Sequence, residues 1–395
     1  MHKFQLKYTD RVARGWKPFP CPRKRSMKFG FFSAVVALGL IANFGFKSEK
    51  LSTKFARFAD FEPVQTSINA SKKILLVTYF RGGSTLLGEL FNKHPNSFYW
   101  FEPLEEFENS IDEFWQETHT PESSFDILDS TLNQRSHKLY KSFEIVHQVI
   151  RSILYCNISS IKEQVLTFKI GNFLTKSKSM SVFAKCASRQ TDLSKIKYDD
   201  WIESQDIKMC HRFLKYPCQN AIMRVIKTIR VPLAYTIDLI RSDPTLKVVY
   251  SIRNPLAMFN SARELYHYGP EDISNFCKRM NIDWMTAKWL QKEYPDNIHI
   301  VKYEELALNT SSVATKVYEY IGIEIPREFT GSEPSRLAHG RRSDRFSTNK
   351  NSTEAVSRWK EVMHPGAMAV VTKQCQEIIN AMGYTDDIPY MSNFK

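Results

Sequence analysis

The chain has 395 residues, enough for one large globular domain or two smaller ones, and a formal net charge of +13. Residues 1–28 carry nine basic side chains and one acidic side chain, so +8 of that charge belongs to a short tail. The modest basic excess elsewhere suits an anionic nucleotide or glycan, and we expect no nucleic acid partner.

An apolar stretch without charged residues, residues 29–46, follows the tail and is at the short end for a membrane span. Its basic flank lies on the N-terminal side, which predicts a transmembrane signal anchor of type II with a cytosolic tail over 1–28. A cleaved signal peptide is the alternative, but its n-region would be unusually long and no clean cleavage site follows. Residues 47–72 are polar and aperiodic, and are predicted to form a stem before a lumenal domain over 73–395.

The residues beyond the apolar stretch fit the secretory pathway. Glycosylation sequons begin at Asn69, Asn157, Asn309 and Asn351. Six of the seven cysteines lie in this part, and the lumen permits disulfides, although the sequence does not choose their pairing and buried free thiols are the alternative. No Cys-x-x-Cys or His-Glu-x-x-His pattern occurs, so no metal site is predicted.

Apolar, β-branched runs alternate with stretches of helical spacing along the predicted domain. Strands are predicted at 73–80, 98–101, 164–170, 221–229, 246–252 and 298–303, and helices at 133–156, 233–240, 281–292 and 312–321, with two more directly after Gly83 and Asn254. This alternation predicts an α/β fold with a mostly parallel central sheet and helices on both faces.

The first candidate site lies in Ile74–Leu90, where a β-rich run breaks into Arg81-Gly82-Gly83-Ser84-Thr85 before a helix. A glycine turn at a helix N-terminus favours an anion, because free N–H groups and the helix dipole face it. Ser84 and Thr85 add hydroxyl donors, and Arg81 adds a permanent charge. The spacing is neither that of a Walker P-loop nor G-x-G-x-x-G, so the predicted ligand is a phosphate-bearing nucleotide held differently. Many such turns bind nothing, which leaves that alternative open for this segment alone.

The second candidate site lies in Leu246–Tyr268. A β-rich run ends in Arg253, and Asn254-Pro255 then opens a helix on which Ser261 lies about two turns further on. An arginine at a strand end paired with a helix serine suits a terminal phosphate monoester. Taken alone, a surface arginine and an ordinary helix serine would be the simpler explanation.

Together, in this order and with this separation, the two segments resemble the 5′-phosphosulfate loop and the 3′-phosphate site of sulfotransferases. More narrowly, the chain resembles the Golgi carbohydrate 6-O-sulfotransferases that modify Gal, GalNAc or GlcNAc, and the resemblance implies their P-loop-like sulfotransferase fold. It extends from Lys73 to Tyr384. Its most specific blocks are Arg81–Leu104, Val248–Arg263, Val301–Asn309 and Phe346–Lys360, and the ending Cys375–Tyr384 fits the same family.

The resemblance implies that 3′-phosphoadenylyl sulfate (PAPS) is the sulfate donor and co-substrate. Arg253 and Ser261 would hold its 3′-phosphate, Ser347 and Thr348 would contact the nucleotide, and Trp359 would lie in the core. The 5′-phosphosulfate would lie on the loop and the first helical turn, formed by Arg81, Gly82, Gly83, Ser84, Thr85, Leu86 and Leu87.

Three positions depart from the family's pattern. Gly82 replaces a usual Ser or Thr and so lacks a hydroxyl donor. Asn254 and Leu256 stand where the family usually has Asp and Arg, which removes an expected local ion pair. These departures bear on affinity and on the choice of acceptor.

For the transfer step, Arg81 is predicted to stabilise charge on the bridging oxygen, where other sulfotransferases use a lysine. Glu102, which follows the aromatic run Phe98–Phe101, is predicted to be the general base. The alternative for Glu102 is a structural carboxylate paired with an arginine. Lys227 and Arg230 follow another strand, and they either contact phosphate or an anionic acceptor or are plain surface charges.

The leading prediction is a single-pass type II enzyme of the Golgi membrane that 6-O-sulfates a sugar of a glycan or proteoglycan acceptor in the lumen. The alternatives are a sulfotransferase of other regiochemistry and an inactive relative that binds glycans. A nucleotide kinase is disfavoured because the Walker lysine is missing. The acceptor sugar and the oligomeric state are left open.

Overall fold

The computed structural model describes residues 71–107, 111, 137–161, 165–166, 176–189, 204–263, 270–330 and 352–385. The predicted tail, the membrane span and residues 47–70 of the predicted stem lie outside these ranges, as do Ser347, Thr348 and Asn351. The last two residues of the predicted stem are described: the Ser71 hydroxyl donates to the Ala221 carbonyl (2.6 Å), and Lys72 is the first residue of a strand. Within the described ranges, no helix combines the length and the apolar character needed to cross a bilayer.

The centre of the fold is a parallel sheet with the strand order β2-β3-β1-β4-β5. This arrangement confirms the predicted α/β architecture. The strands are β1 (Lys72–Val77), β2 (Ser97–Phe101), β3 (Met223–Thr228), β4 (Leu246–Ile252) and β5 (Ile298–Lys302).

Helices connect the strands and cover the sheet. Those before β5 are α1 (Ser84–Asn92), α2 (His137–Leu154), α3 (Ser181–Ala187), α4 (Ser204–Cys210), α5 (Arg212–Asn220), α6 (Tyr235–Ser242), α7 (Pro255–Arg263) and α8 (Pro270–Glu293). Those after β5 are α9 (Tyr303–Leu308), α10 (Thr310–Ile321), α11 (Ser352–Ser357), α12 (Trp359–Val362), α13 (Pro365–Gln374) and α14 (Gln376–Ala381).

Alternating side chains of each strand enter two separate cores, one on each face of the sheet. Leu75 and Val77 of β1 pack in the larger core with α2, α6 and α8. Ile74 and Leu76 pack in the smaller core with α1, α9 and α10. Both faces are therefore apolar, which explains why the strands read as continuous hydrophobic runs. Burying each large apolar side chain contributes about 1.5–3 kcal/mol.

The strand order places the ends of β1 and β4 side by side at the point where the connections change direction. From β1 the chain continues to β2 and β3 on one side of the sheet, and then to β4 and β5 on the other side. In open α/β sheets, a crevice for ligands forms at the carboxyl ends of the strands at such a point. The two segments that carry Arg81 and Arg253 begin there.

Two predicted strands differ from the observed elements by three residues or more, while the others agree to within two residues. β1 ends at Val77 rather than at residue 80, because the chain turns at Tyr79, whose carbonyl accepts a hydrogen bond from the Gly82 N–H (2.9 Å). Val165 and Leu166, which are the only described residues of the strand predicted at 164–170, are helical and buried. The strand assignment is wrong for these two residues, because a short apolar run does not distinguish a buried strand from a buried helix.

The six cysteines form three disulfides, which resolves the pairing that the sequence leaves open. Cys156–Cys218 joins the end of α2 to α5, and Cys186–Cys210 joins α3 to α4. Cys277–Cys375 joins α8 to the junction of α13 and α14. The third disulfide closes the longest loop and attaches the C-terminal helices to the rest of the domain.

Asp283 of α8 is a fully buried acid beneath the sheet's carboxyl edge. Its carboxylate accepts hydrogen bonds from the Tyr79 hydroxyl (2.5 Å) and from the Leu233 N–H (2.8 Å). Burial raises the pKa of Asp283 to about 7, although both hydrogen bonds and Arg279 act in the opposite direction. The folded protein therefore binds this proton more tightly than the unfolded chain does.

We expect Asp283 to make the free energy of unfolding fall as the pH rises. Its contribution is fully present below the unfolded pKa, near 4, and is lost as the pH rises through about 7. In Asp283→Asn the amide replaces the protonated acid, so the variant and the parent should differ little at pH 4. By pH 8 the variant should be more stable by roughly 2–4 kcal/mol. Denaturant unfolding at several pH values measures the difference, and parallel curves for the two proteins would contradict this assignment.

Candidate active site

The loop after β1 forms a tight turn that leads directly into α1. Arg81 and Gly83 both have positive φ angles, 63° and 82°, which place the backbone in the left-handed region. The Leu86 N–H donates to the Gly83 carbonyl (3.0 Å), and no side chain caps the helix N-terminus. The N–H groups of Ser84 and Thr85 lie in the first turn, where a helix offers them no internal acceptor. This geometry fits the predicted anion site, with Ser84 and Thr85 as its backbone donors.

Of the other predicted loop residues, three already use their N–H groups within the turn. The Gly82 N–H donates to the Tyr79 carbonyl, and those of Leu86 and Leu87 donate to the Gly83 carbonyl. Their predicted role in holding the phosphosulfate by N–H groups stays a prediction, and the geometry favours Ser84 and Thr85 over them.

Tyr303, the first residue of α9, forms the floor under both candidate segments. A Cβ atom added to Gly83 would lie 2.0 Å from the ring of Tyr303, so only glycine fits there. The guanidinium of Arg253 lies over the same ring, 4.3 Å from its centroid, in a cation–π contact. Burial raises the pKa of Tyr303, and the charge of Arg253 opposes that shift. The ring of Tyr303 therefore packs against both loops and fixes their positions.

Arg253 links the two loops by hydrogen bonds as well. One of its NH groups donates to the Arg81 carbonyl (2.9 Å), and the other donates to the Ala355 carbonyl of α11 (3.0 Å). Its Nε, like the buried Oδ1 of Asn260 on α7, has no hydrogen-bond partner among the described residues. Because a guanidinium has five N–H donors, Arg253 retains donors and its full charge for an anion.

The side chains of Arg81 and Ser261 are in direct contact. The Nε of Arg81 donates to the Oγ of Ser261 (2.8 Å), across a sequence separation of 180 residues. The structure therefore brings together Arg81, Arg253 and Ser261, which the sequence analysis identified on separate segments.

Packing explains two of the three departures from the family's pattern, those at Gly82 and Leu256. At Gly82 a Cβ atom would lie 2.6 Å from Thr78 Oγ1 and 2.9 Å from the Tyr79 carbonyl, so a serine or threonine would not fit. The Oδ1 of Asn254 accepts the Leu256 N–H (2.9 Å) and thereby caps α7. Leu256 is fully buried in the larger core. An aspartate would accept the Leu256 N–H equally well, and the Nδ2 of Asn254 is buried without a hydrogen-bond partner among the described residues, so the structure does not explain the departure at Asn254.

Glu102 lies at the end of β2 in a buried cluster of four charged side chains. One carboxylate oxygen pairs with Lys227, and the other pairs with Arg230. Arg230 also lies 3.5 Å from a carboxylate oxygen of Glu105. Glu102 itself has a positive φ of 53°, a strained conformation for a residue with a side chain. Such strain is typical of functional sites, and here it directs the carboxylate at two cations.

The cluster settles part of what the sequence left open for Lys227 and Arg230. Lys227 is 2% exposed, so a plain surface charge is wrong for this residue. Burial lowers the pKa of Lys227, and the charge of Glu102 opposes that shift. Both cations contact carboxylates, and Lys227 also lies 4.0 Å from the ring centroid of Phe101. Their observed role is to hold Glu102.

The sequence analysis did not identify Tyr303 or Glu304 as site residues. Glu304 accepts the N–H of Asn254 (3.0 Å), directly after Arg253. Both residues lie in the block Val301–Asn309, which carried the resemblance, and that block was the only sequence signal for them. Across the described ranges, no group of three or more His, Cys, Asp or Glu side chains could hold a metal ion.

We expect Gly83→Ala to impair nucleotide binding, because its Cβ atom would displace the ring of Tyr303. The affinity for adenosine 3′,5′-bisphosphate should fall by more than about tenfold, measured by isothermal titration calorimetry. The matched control is Gly322→Ala, which has a similar positive φ of 69° but only the flexible end of Lys72 near its Cβ, at 3.5 Å. The control should lose stability through backbone strain but keep its affinity. Equal affinity losses in both variants would contradict the role of Tyr303.

Comparisons with known proteins place the chain in a family. A family model described as a sulfotransferase domain matches residues 71–383. Carbohydrate sulfotransferase 1 of Mus musculus is 23% identical over 361 residues, which cover 80% of this chain and 81% of that protein. Carbohydrate sulfotransferase 3 of Mus musculus is 23% identical over 363 residues, which cover 81% of this chain and 69% of that protein.

Among solved structures, a sulfotransferase domain from the curacin biosynthetic pathway covers 79% of this chain and 98% of that one, at 13% identity. The TM-score of that comparison is 0.40. The match over residues 71–383 confirms the resemblance that the sequence blocks indicated, and with it the predicted enzyme class. The chain belongs to the sulfotransferase domain family and is related to the carbohydrate sulfotransferases.

Proposed function

We propose that this protein transfers the sulfuryl group of PAPS to the 6-hydroxyl of a Gal, GalNAc or GlcNAc residue in a glycan or proteoglycan. The observation that carries the proposal is the convergence of Arg81, Arg253 and Ser261 at the carboxyl ends of β1 and β4. The relatedness to carbohydrate sulfotransferases supports a sugar acceptor. The position of the hydroxyl and the identity of the sugar rest on the resemblance alone.

The residues present fit a nucleotide with two anionic ends. The N-terminus of α1, with Ser84 and Thr85, would hold the 5′-phosphosulfate next to Arg81. Arg253 would hold the 3′-phosphate with Ser261, since its buried Nε lacks a hydrogen-bond partner among the described residues. An unsatisfied buried polar atom costs about 1–3 kcal/mol, which a bound nucleotide would recover in part.

PAPS supplies an activated sulfuryl group and a leaving nucleotide when it is bound. The part of Arg81 is to place its guanidinium where negative charge develops as the sulfur–oxygen bond breaks. The contact between Arg81 Nε and Ser261 Oγ fixes the direction of that side chain before any ligand arrives. A fixed donor needs no reorganisation during the reaction, which is the main source of such stabilisation.

Glu102 is the proposed general base, which would take the proton of the attacking sugar hydroxyl. Lys227 and Arg230 each bind one of its carboxylate oxygens and so fix the plane of the group. Each carboxylate oxygen has a second lone pair, so pairing with a cation does not prevent it from accepting a proton. Orientation by two cations would aim the base at a single hydroxyl position.

We place the enzyme in the Golgi membrane as a type II protein with its catalytic domain in the lumen. The three disulfides support an oxidising compartment. The observed packing around Gly82 and Leu256 weakens the case for an inactive relative, because both departures have a structural reason.

Incubation of the purified protein with labelled PAPS and a panel of glycans tests the activity. The panel contains keratan, chondroitin and GlcNAc-terminated acceptors, and the label should appear at C6 of one sugar. Arg81→Ala should lower kcat by about 10²–10³-fold, the usual loss for one fixed donor at developing charge. Label at another carbon would correct the regiochemistry. Nucleotide binding without any transfer would favour a glycan-binding protein.

Glu102→Gln should lower kcat by about 10²–10⁴-fold with little change in nucleotide affinity, because it removes a base and leaves the anion site intact. The matched control is Glu105→Gln, which also removes a carboxylate that contacts Arg230 in the same cluster. Steady-state sulfate transfer measures both variants. Equal losses would assign the effect to the charged cluster rather than to a base.

A further inference from the structure

Glu304, the second residue of α9, connects the Arg253 segment to the C-terminal end of the described domain. One oxygen of its carboxylate accepts the N–H of Asn254 (3.0 Å), and the other accepts the hydroxyl of Tyr384 (2.8 Å). Both carboxylate oxygens are therefore used, one toward the candidate site and one away from it. The sequence analysis predicts neither contact.

Tyr384 is held firmly at its own end. It is 3% exposed, and its N–H donates to the Ile379 carbonyl of α14 (2.9 Å). Lys302 lies over its ring at 5.4 Å. The disulfide Cys277–Cys375 fixes the start of α14 on α8. These contacts fix the position of the Tyr384 hydroxyl, which donates to Glu304.

The C-terminal helices reach Arg253 at a second point. The Ala355 carbonyl of α11 accepts one NH group of the guanidinium (3.0 Å), while Glu304 fixes the backbone one residue further on. The side chain and the backbone of the Arg253 segment are therefore each attached to the region that follows residue 351. Tyr303 supports the guanidinium from below.

We infer that Glu304 and Tyr384 are positioning residues that set Arg253 for the 3′-phosphate of the nucleotide, without touching the nucleotide themselves. The inference rests on the proposed function, because it takes the 3′-phosphate to be the anion that Arg253 binds. A guanidinium recognises phosphate through directed N–H donors, so a small shift of its backbone weakens that contact selectively. The 5′ end of the nucleotide would lie on α1, and within the described residues Glu304 makes no hydrogen bond to that helix.

The test compares two nucleotides that differ only in the 3′-phosphate, adenosine 3′,5′-bisphosphate and AMP. Tyr384→Phe removes one hydroxyl and keeps the ring, and it should weaken binding of the bisphosphate roughly tenfold while the affinity for AMP stays the same. The matched control is Tyr155→Phe, which removes another tyrosine hydroxyl bonded to a carboxylate, that of Asp243 (2.6 Å), beside the amino end of β4. The control should leave both affinities unchanged.

Two substitutions of Glu304, one conservative and one not, provide a second test. Glu304→Gln keeps an acceptor for the Asn254 N–H and a polar group at Tyr384, and it should retain most of the preference for the bisphosphate. Glu304→Leu removes both contacts and should lose the preference as Tyr384→Phe does. Thermal unfolding of each variant identifies any that is not folded, and Tyr384→Phe, with a single hydroxyl removed, then carries the test.

The outcomes separate this inference from the proposed function. If the unsubstituted protein binds the bisphosphate no better than AMP, the 3′-phosphate site itself is wrong, and the positioning role falls with it. If the unsubstituted protein prefers the bisphosphate and Tyr384→Phe keeps that preference, or loses affinity equally for both nucleotides, the positioning role alone is overturned. A selective loss that Glu304→Gln largely avoids supports it.

Discussion

The candidate site depends on the contacts that the guanidinium of Arg253 makes. It lies over the ring of Tyr303 and donates to the carbonyls of Arg81 and Ala355, so it joins the loops after β1 and β4 to α11. These partners are an aromatic face and neutral carbonyls, which leave its positive charge in place. Arg253 can therefore hold the site together and still attract an anion, which a partner carboxylate would prevent.

The charged side chains at the carboxyl edge of the sheet form two groups that differ in their contacts. Near the ends of β1 and β4, Arg81 and Arg253 contact hydroxyl and carbonyl groups. Near the ends of β2 and β3, cations and carboxylates alternate in the cluster around Glu102. The first group suits binding of an anion, and the second suits a carboxylate held in one orientation. In the proposed reaction, the first group would bind the sulfate donor and the second would take the proton of the acceptor hydroxyl.

The glycine turn shows how closely the loops and the scaffold are fitted. Gly83 approaches Tyr303 so closely that no side chain is accommodated, and Gly82 lies against Thr78 and the Tyr79 carbonyl. The loss of a hydroxyl at Gly82 is thus tied to the path of the backbone between β1 and α1. Interiors at crystal-like density transmit such constraints, since a displaced ring has no empty volume to enter. Asp283 is connected to the same loop, because its carboxylate accepts a hydrogen bond from the Tyr79 hydroxyl.

Local sequence determined the elements and the chemistry of this protein. β4 was predicted with its observed bounds, β3 to within two residues, and the helix after Asn254 with its observed start, because apolar runs and caps are local signals. Arg81, Arg253 and Ser261 were identified because a residue at the end of a parallel strand reaches the ligand edge. Tertiary structure alone decided the cysteine pairing, the floor that Tyr303 provides and the partners of Glu102 and Glu304. These contacts join residues far apart in the chain, and a spacing pattern carries no information on which distant side chain will meet which. The short apolar run at Val165 and Leu166 was an ambiguous local signal, because both residues are buried in a helix where a strand was predicted.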